Sequence, residues 1–179
     1  MTNKVIRVLA IGEKCSGKTI TIETICKGII SKYPHLPTIG VDYSLINLKN
    51  FKIIFWDAGG DYNYDLIIKS FYNICDIILL FFHHNSNNAI NEIIYWYNEI
   101  KKNKTNYNKN KIMLVALKKY KIIDYPILNF CQSNNLSLHI INIEDTKDID
   151  NFIERIINMH QDIYKDYNIK PSRGCCCIN

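Results

Sequence analysis

The chain has 179 residues, of which 47% are apolar and 22% are charged, so it can form one folded domain with a short appendage and is not disordered throughout. Its net charge of +5 comes from 22 basic and 17 acidic residues, and the basic residues are spread along the chain. This charge does not point to a nucleic-acid partner, and no stretch reaches the roughly 20 consecutive apolar residues that a membrane-spanning helix requires.

The first half of the chain predicts a strand, a loop and a helix, followed by a hairpin. The apolar run Val5–Ile11 ends at Gly12 and predicts a buried strand, and Ile and Cys recur at helical spacing over Thr19–Ile30. Two β-rich runs, Tyr43–Leu48 and Phe51–Trp56, are separated by only two residues. So short a connection favours an antiparallel pair of strands.

In the second half of the chain, apolar runs alternate with helical patterns. Strands are predicted at Ile77–Phe82, Ile112–Leu117 and Leu138–Ile143. Helices are predicted at Ala89–Lys101, at Tyr125–Asn134 and, for the last one, from about Ile149 to Ile163. This alternation predicts an α/β fold, in which a mostly parallel six-stranded sheet with one antiparallel strand carries helices on both faces.

Residues 12–19 satisfy the phosphate-loop pattern of a glycine, four residues and then Gly-Lys-Thr, and they lie between a predicted strand and a predicted helix. Such a loop wraps a polyphosphate with backbone N–H groups at the N-terminus of a helix. We expect Lys18 to contact the β and γ phosphates and the Thr19 hydroxyl to bind Mg²⁺. The residues assigned to nucleotide binding here are Gly12, Glu13, Lys14, Cys15, Ser16, Gly17, Lys18, Thr19 and Ile20.

A second element of the same site is predicted at Phe55–Gly60, where a carboxylate ends an apolar strand and two glycines follow. Asp57 is suited to hold Mg²⁺ from across the phosphates. Gly60 is placed to offer its backbone N–H to a γ-phosphate. A strand end with a glycine-rich turn is the alternative, but the phosphate loop in the same chain favours the nucleotide site.

The sequence resembles the Rab branch of the Ras-like small GTPases. Residues 38–43, Thr-Ile-Gly-Val-Asp-Tyr, are similar to the Rab first-switch motif, and Lys52–Gly60 is similar to the strand and second switch that follow. Phe71-Tyr72 and residues 96–100 also lie at family-like spacings. The resemblance implies a three-layer GTPase (G domain) fold over residues 1–164 that binds GTP, GDP and Mg²⁺, with two segments that respond to the γ-phosphate.

The resemblance also implies residue roles. Thr38 would reach both Mg²⁺ and the γ-phosphate, which gives a metal set of Thr19, Thr38 and Asp57. The residues implied at the reacting phosphate are Lys18, Thr38, Gly60 and Asp61.

Two residues depart from the family pattern near the reacting phosphate. Asp61 stands where the family places the glutamine that orients the attacking water, and its negative charge beside phosphate oxygens predicts slow hydrolysis. Lys14 occupies a position that is usually small in the family. Its ammonium either contacts the γ-phosphate, obstructs the space for an activating arginine, or points away into solvent.

The guanine-reading motif is degenerate. The family has Asn-Lys-x-Asp where this chain has Leu117-Lys118-Lys119-Tyr120, so only the lysine matches. Loss of the aspartate removes charge-assisted hydrogen bonds to guanine, and we expect binding weaker on the order of 100-fold or more, with reduced selectivity between guanine and adenine. Lys118 and Tyr120 either contact the base or lie in a solvent-facing loop, and Ile143 is aligned to offer a backbone N–H.

The C-terminal segment, residues 165–179, is predicted to be a flexible tail that ends in three cysteines. It resembles the Rab ending that receives geranylgeranyl groups, with Cys176 and Cys177 as the expected pair and Cys176 alone as a single-site alternative. Two lipid chains anchor a protein stably, whereas one binds a membrane only marginally. An unmodified tail, or one that binds a metal adventitiously, is the remaining interpretation.

Together these features predict a monomeric, Mg²⁺-dependent guanine-nucleotide switch with slow GTP hydrolysis, held by its lipids on the cytoplasmic face of membranes and acting in vesicle traffic. The expected partners are the Rab-handling proteins for prenylation, extraction and nucleotide exchange, and effectors that bind the switch segments. The alternative is a pseudo-GTPase that serves as a decoy or scaffold. A P-loop phosphotransferase is a third possibility, but no acceptor-binding or lid segment is evident in the sequence.

Overall fold

The computed structural model describes residues 4–31, 35–83, 86–105, 111–118 and 124–166. Within these ranges, six strands form one sheet in the order β2-β3-β1-β4-β5-β6. The strands are β1 (Lys4–Gly12), β2 (Val41–Asn47), β3 (Phe51–Ala58), β4 (Ile77–Phe81), β5 (Ile112–Leu117) and β6 (Ser137–Ile141). β2 runs antiparallel to β3, and the other neighbouring strands are parallel. The predicted sheet is therefore confirmed.

Helices cover both faces of the sheet, as predicted. They are α1 (Lys18–Lys27), α2 (Asp65–Phe71), α3 (Ala89–Asn103), α4 (Tyr125–Asn134) and α5 (Thr146–Asp166). Successive side chains of a strand point to opposite faces, so β1 contributes to two apolar cores. Val8 packs in one core with Phe152 of α5, whereas Leu9 packs in the other with Trp96 of α3. Apolar contact on both faces explains why the central strands are almost continuously hydrophobic.

The structure moves several predicted boundaries. α1 ends at Lys27 instead of Ile30 because Gly28 adopts a left-handed conformation, with φ 69°, and donates its N–H to the Thr24 carbonyl 2.9 Å away. α2 was not predicted, since seven residues are too few to show a helical period. α5 extends to Asp166, two residues into the predicted tail. The rest of the tail, residues 167–179 with Cys176 and Cys177, lies outside the described residues.

Strand register brings the functional segments to one edge of the sheet. In the β1–β3 pair, Ala10 lies opposite Asp57, and in the β1–β4 pair Gly12 lies opposite Phe81. Because β1 and β3 are parallel, the loop after Gly12 and the turn after Ala58 leave the sheet at the same edge. No helix in the described part of the chain is long and apolar enough to cross a bilayer.

Candidate functional site

The loop between β1 and α1 closes around the ammonium of Lys18. Lys18 is the first residue of α1, and its Nζ donates to the carbonyls of Gly12 at 2.9 Å and Glu13 at 2.8 Å. The side chain is only 5% exposed. Burial lowers the Lys18 pKa to about 8, although the negative charges of Asp57 and Glu13 act in the opposite direction. The loop thus holds a buried cation that an anionic ligand would stabilise.

Three oxygen-bearing side chains converge beside this loop. Thr19 Oγ1 donates to Asp57 Oδ2 at 2.6 Å and lies 3.1 Å from Thr38 Oγ1, which is itself 3.4 Å from Asp57 Oδ2. Burial raises the Asp57 pKa, while its bond from Thr19 and the charge of Lys18 lower it. The structure therefore brings together residues 19, 38 and 57, which the sequence analysis assigned to one metal.

These oxygens are a chemically suitable set for a hard divalent cation. The second oxygen of Asp57, Oδ1, is buried and has no hydrogen-bond partner among the described residues. An unpaired buried carboxylate oxygen is costly, and a cation would compensate it. In the described ranges no group of three or more His, Cys, Asp or Glu residues is arranged to hold a metal.

A cavity of about 380 Å³ lies over the loop. It is lined by residues 14–20 of the loop and α1, by residues 35–39, and by Ala58, Gly60, Asp61 and Tyr64. Most residues assigned to the phosphates from sequence therefore share one cavity. Gly12 and Glu13 provide the carbonyls that accept from Lys18, and Asp57 contacts Thr19 and Thr38, which line the cavity.

Gly60 lies directly against the phosphate loop. A Cβ atom at this position would come 2.4 Å from the backbone nitrogen of Lys14 and 2.8 Å from the carbonyl oxygen of Gly12. Only glycine permits so close an approach of two backbone segments. The segment that follows β3 is thereby held on the loop that surrounds Lys18.

Lys14 and Asp61, the two residues that depart from the family pattern, are bonded to each other. Lys14 Nζ lies 2.7 Å from Asp61 Oδ2. The hydrogen bond between them, with their mutual attraction, raises the Lys14 pKa and lowers the Asp61 pKa, so both groups are charged at neutral pH. This position of Lys14 differs from the three considered from the sequence, because its side chain pairs with another residue that lines the cavity.

A neighbouring contact was not anticipated from the sequence. The hydroxyl of Tyr62 donates to Glu13 Oε2 at 2.7 Å, and the Tyr62 ring stacks on Trp96 with a centroid distance of 5.9 Å and an interplanar angle of 17°. No sequence spacing signals this contact, because Glu13 and Tyr62 are 49 residues apart.

The residues assigned to the base occupy the ends of β5 and β6. Leu117 packs on the phosphate loop, since a Cβ atom on Gly17 would lie 2.4 Å from Leu117 Cδ1. Lys118 is exposed, and its backbone N–H donates to the Ile141 carbonyl at 2.8 Å. Ile143 follows β6 and is half-buried against the α5 side of the sheet. Tyr120 lies outside the described residues, so the structure gives no position for it.

Comparison with known proteins agrees with this geometry. A family profile described as Ras of Complex, Roc, domain of DAPkinase matches residues 7–120, which is more than half of the chain. The chain is 25% identical over 169 residues to the Ras-related protein Rab-5B of Plasmodium falciparum, covering 90% of this chain and 80% of that protein. It is 22% identical over 198 residues to the Ras-related protein RabT1 of Dictyostelium discoideum, covering 94% and 86%.

A third relative, the Ras-related protein RabO of Dictyostelium discoideum, is 25% identical over 127 residues, which covers 69% of this chain and half of that protein. The profile match contains the phosphate loop, Thr38, Asp57 and Gly60 and ends in the degenerate base motif. With its loop, oxygen cluster and sheet order all in place, the chain belongs to this Ras-related GTPase family and is a Rab-like small GTPase of the Ras superfamily.

Proposed function

We propose that the protein is a Mg²⁺-dependent guanine-nucleotide switch that hydrolyses GTP slowly and acts in vesicle traffic on the cytoplasmic face of membranes. The observation that carries this proposal is the convergence of Thr19, Thr38 and Asp57 at the cavity over the phosphate loop. These residues come from α1, from the segment before β2 and from β3, so a ligand held by all three would order segments that are distant in sequence.

Five residues of the site have separate roles in this proposal. Lys18 would place its charge against the β and γ phosphates, and the Gly60 N–H would bond to the γ-phosphate. Thr19, Thr38 and Asp57 would hold Mg²⁺, which supplies positive charge to the phosphate oxygens. Thr38 bonds to both Thr19 and Asp57, so its position would report whether that site is filled.

Slow hydrolysis follows from the residue that faces the terminal phosphate. The carboxylate of Asp61 is engaged by Lys14 and by the Asn63 backbone N–H at 3.0 Å. An anion held in this way neither carries the amide that orients water in the family nor approaches a phosphate favourably. Turnover would therefore depend on a partner or on rearrangement of the segment that contains Asp61.

Membrane attachment is proposed through prenyl groups on Cys176 and Cys177. The segments that would bind effectors expose large apolar side chains, with Leu36 88%, Ile39 82% and Leu66 82% accessible. Exposed apolar groups on both sides of a nucleotide cavity are suited to partners that distinguish nucleotide states. Prenylation, extraction and exchange factors of the Rab type are the other partners we propose.

The test is direct. The purified protein, kept in Mg²⁺, is denatured and the released nucleotide is identified by chromatography; we expect GDP or GTP. Fluorescent GDP is then titrated against wild type, Thr19→Ala and the control Thr24→Ala, a threonine of the same helix whose hydroxyl bonds to the Ile20 carbonyl and which does not line the cavity. We expect only Thr19→Ala to lose the Mg²⁺ dependence of binding. Released adenine nucleotide would contradict the guanine assignment.

A pseudo-GTPase scaffold is the second candidate, and Leu117 favours it. An apolar side chain packs on Gly17 where the family has a hydrogen-bonding asparagine, so base recognition is weakened. A site that is empty as purified and does not bind added nucleotide at millimolar concentration would support the scaffold and exclude the switch.

A further inference from the structure

Two adjacent residues of the phosphate loop bond to two adjacent residues that follow Gly60. We call residues 60–64 the second switch, after the family segment that they resemble. Lys14 pairs with Asp61 at 2.7 Å, and Glu13 accepts a hydrogen bond from Tyr62 at 2.7 Å. We call these two contacts the loop-to-switch bridge. Gly60, immediately before them, lies in backbone contact with the loop. The bridge therefore fastens residues 60–62 onto the loop at one wall of the cavity.

The ion pair of the bridge lines the part of the cavity where a terminal phosphate would lie. Lys14, Asp61, Gly60 and Thr38 all line the cavity, and the last two are the residues assigned to the γ-phosphate together with Lys18. The Lys14 and Asp61 side chains are 56% and 28% exposed, so the pair lies at the cavity mouth and can open without unfolding the core. Such partly exposed pairs contribute little to folding stability.

We infer that the Lys14–Asp61 ion pair makes this GTPase select for diphosphate, because a nucleoside diphosphate binds with the pair intact whereas a triphosphate must draw Lys14 away from Asp61. This inference rests on the proposed nucleotide switch. The carboxylate of Asp61 repels the additional negative charge of a γ-phosphate, and the ammonium of Lys14, which is paired with Asp61, becomes available to that phosphate only when the pair opens. The identity of Lys14's partner then sets the position of the second switch.

The aromatic half of the bridge offers an optical readout of that position. Tyr62 stacks on Trp96 and contacts Tyr95 edge-on at 4.9 Å. Opening of the ion pair shifts residues 61 and 62 together and so changes the surroundings of Trp96. The chain has two tryptophans, Trp56 and Trp96, so Trp56→Phe leaves Trp96 as the sole source of indole fluorescence.

The experiment is a mutant cycle on nucleotide selectivity. Affinities for GDP and for the non-hydrolysable guanosine 5′-(β,γ-imido)triphosphate are measured by competition in Mg²⁺ for wild type, Asp61→Asn, Lys14→Met and the double variant. The matched control is Glu99→Gln, which removes one negative charge on α3 from a pair with Lys102 at 3.8 Å, away from the cavity. Circular dichroism verifies that each variant is folded.

Asp61→Asn is expected to raise the ratio of triphosphate to diphosphate affinity about tenfold when Lys14 is present, because it both removes repulsion and frees a charge-assisted donor. In the Lys14→Met background, where only repulsion is removed, the gain is expected to fall to about threefold. Glu99→Gln should leave the ratio unchanged. In Trp56→Phe protein, the triphosphate analogue should change Trp96 fluorescence and GDP should not.

Two results would overturn the inference while leaving the switch intact. The first is binding of both nucleotides with a ratio that Asp61→Asn does not move. The second is an equal gain in the two backgrounds, which would mean that Lys14 and Asp61 act independently. If wild type binds neither nucleotide, the proposed function and this inference both fail, and chromatography of the denatured protein distinguishes that case.

Discussion

At the scale of single residues, two of the residues that depart from the family pattern contact each other. Lys14 is unusual in a phosphate loop and Asp61 is unusual in a second switch, and the structure joins them at 2.7 Å. Leu117 replaces a polar residue and contacts Gly17 of the same loop. Lys14, Asp61 and Leu117 therefore all take part in contacts at the phosphate loop, and variants at these positions should be interpreted with the residues that they contact.

The first prediction concerns Asp61 and the rate of hydrolysis. Asp61→Gln restores an amide long enough to orient water, so single-turnover GTP hydrolysis should rise roughly tenfold over wild type. Asp61→Asn is the control, because it removes the same charge and the same pairing with Lys14. Its amide is one methylene closer to the backbone than the amide of glutamine. Equal rates for Gln and Asn would show that charge, and not reach, limits the reaction.

At the scale of elements, buried polar side chains hold helices to their neighbours. Lys104, which follows α3, is 8% exposed and donates to the carbonyls of Tyr72 at 2.7 Å and Cys75 at 2.9 Å. These carbonyls lie just beyond the C-terminus of α2, where a cation is favourable. The short second-switch helix is thereby anchored at the end opposite the nucleotide cavity.

The second prediction concerns that anchor. Lys104→Met keeps the alkyl chain but leaves two carbonyls without a charged donor, so the free energy of unfolding should fall by about 2 kcal/mol. Urea denaturation measures the change. Lys102→Met, on the exposed surface of the same helix, is the matched control and should lie within about 0.5 kcal/mol of wild type. Equal stability of the two variants would contradict the anchoring role.

The third prediction concerns the junction of β6 and α5 and its dependence on pH. His139 is buried, its Nδ1 lies 3.0 Å from Arg155 Nη1, and its Nε2 lies 3.6 Å from Asp148. The guanidinium can only donate, so Nδ1 accepts and the ring is neutral. Burial, followed by the charge of Arg155, lowers the His139 pKa below 6.5, while Asp148 opposes the change.

Proton linkage gives the direction in which the free energy of unfolding changes with pH. Well above pH 6.5 His139 is neutral in both the folded and the unfolded chain and adds no pH dependence. As the pH falls below 6.5, the unfolded chain binds the proton first, so the free energy of unfolding decreases until the pH reaches the lowered pKa of the folded state. His139→Gln should lose this part of the slope in urea titrations at a series of pH values. His160, whose pKa is also lowered, is retained in both proteins, so its contribution cancels in the difference.

At the scale of the whole molecule, the nucleotide cavity lies where segments that follow separate strands meet. Residues 14–20 and 35–39 contribute to it, together with Ala58, Gly60, Asp61 and Tyr64, and the three segments are separate in the chain. A ligand that contacts all of them stabilises only the folded arrangement. Stability should therefore depend strongly on the nucleotide and its metal.

The fourth prediction is that GDP with Mg²⁺ at about 100 times its Kd adds about 2.7 kcal/mol to the free energy of unfolding. For a chain of this size, that should raise the thermal midpoint by roughly 5–10 °C. Chelation of Mg²⁺ by EDTA should remove most of the increase, and Thr19→Ala should show a small increase in either condition. An unchanged midpoint in saturating GDP would contradict binding at this cavity.

The sequence alone determined the fold class and the position of the phosphate loop between a strand and a helix. Periodicity located all six strands and four of the five helices within the described ranges, because long apolar segments must be buried whatever their neighbours are. The phosphate-loop pattern predicted that Lys18 contacts phosphates and that Thr19 binds Mg²⁺, since the spacing within a contiguous motif fixes where these residues lie in the loop. Asp57 was predicted to hold the metal because a carboxylate ends an apolar strand in a chain that also carries a phosphate loop.

Only the tertiary structure decided how the remaining residues interact. Lys14 with Asp61, and Glu13 with Tyr62, are pairs separated by nearly fifty positions, and no local pattern constrains such contacts. They arise because parallel β1 and β3 end at the same edge of the sheet and Gly60 permits close backbone approach. Short-range periodicity thus specifies which segments are strands and helices, whereas the partners of charged side chains depend on packing across the sheet edge.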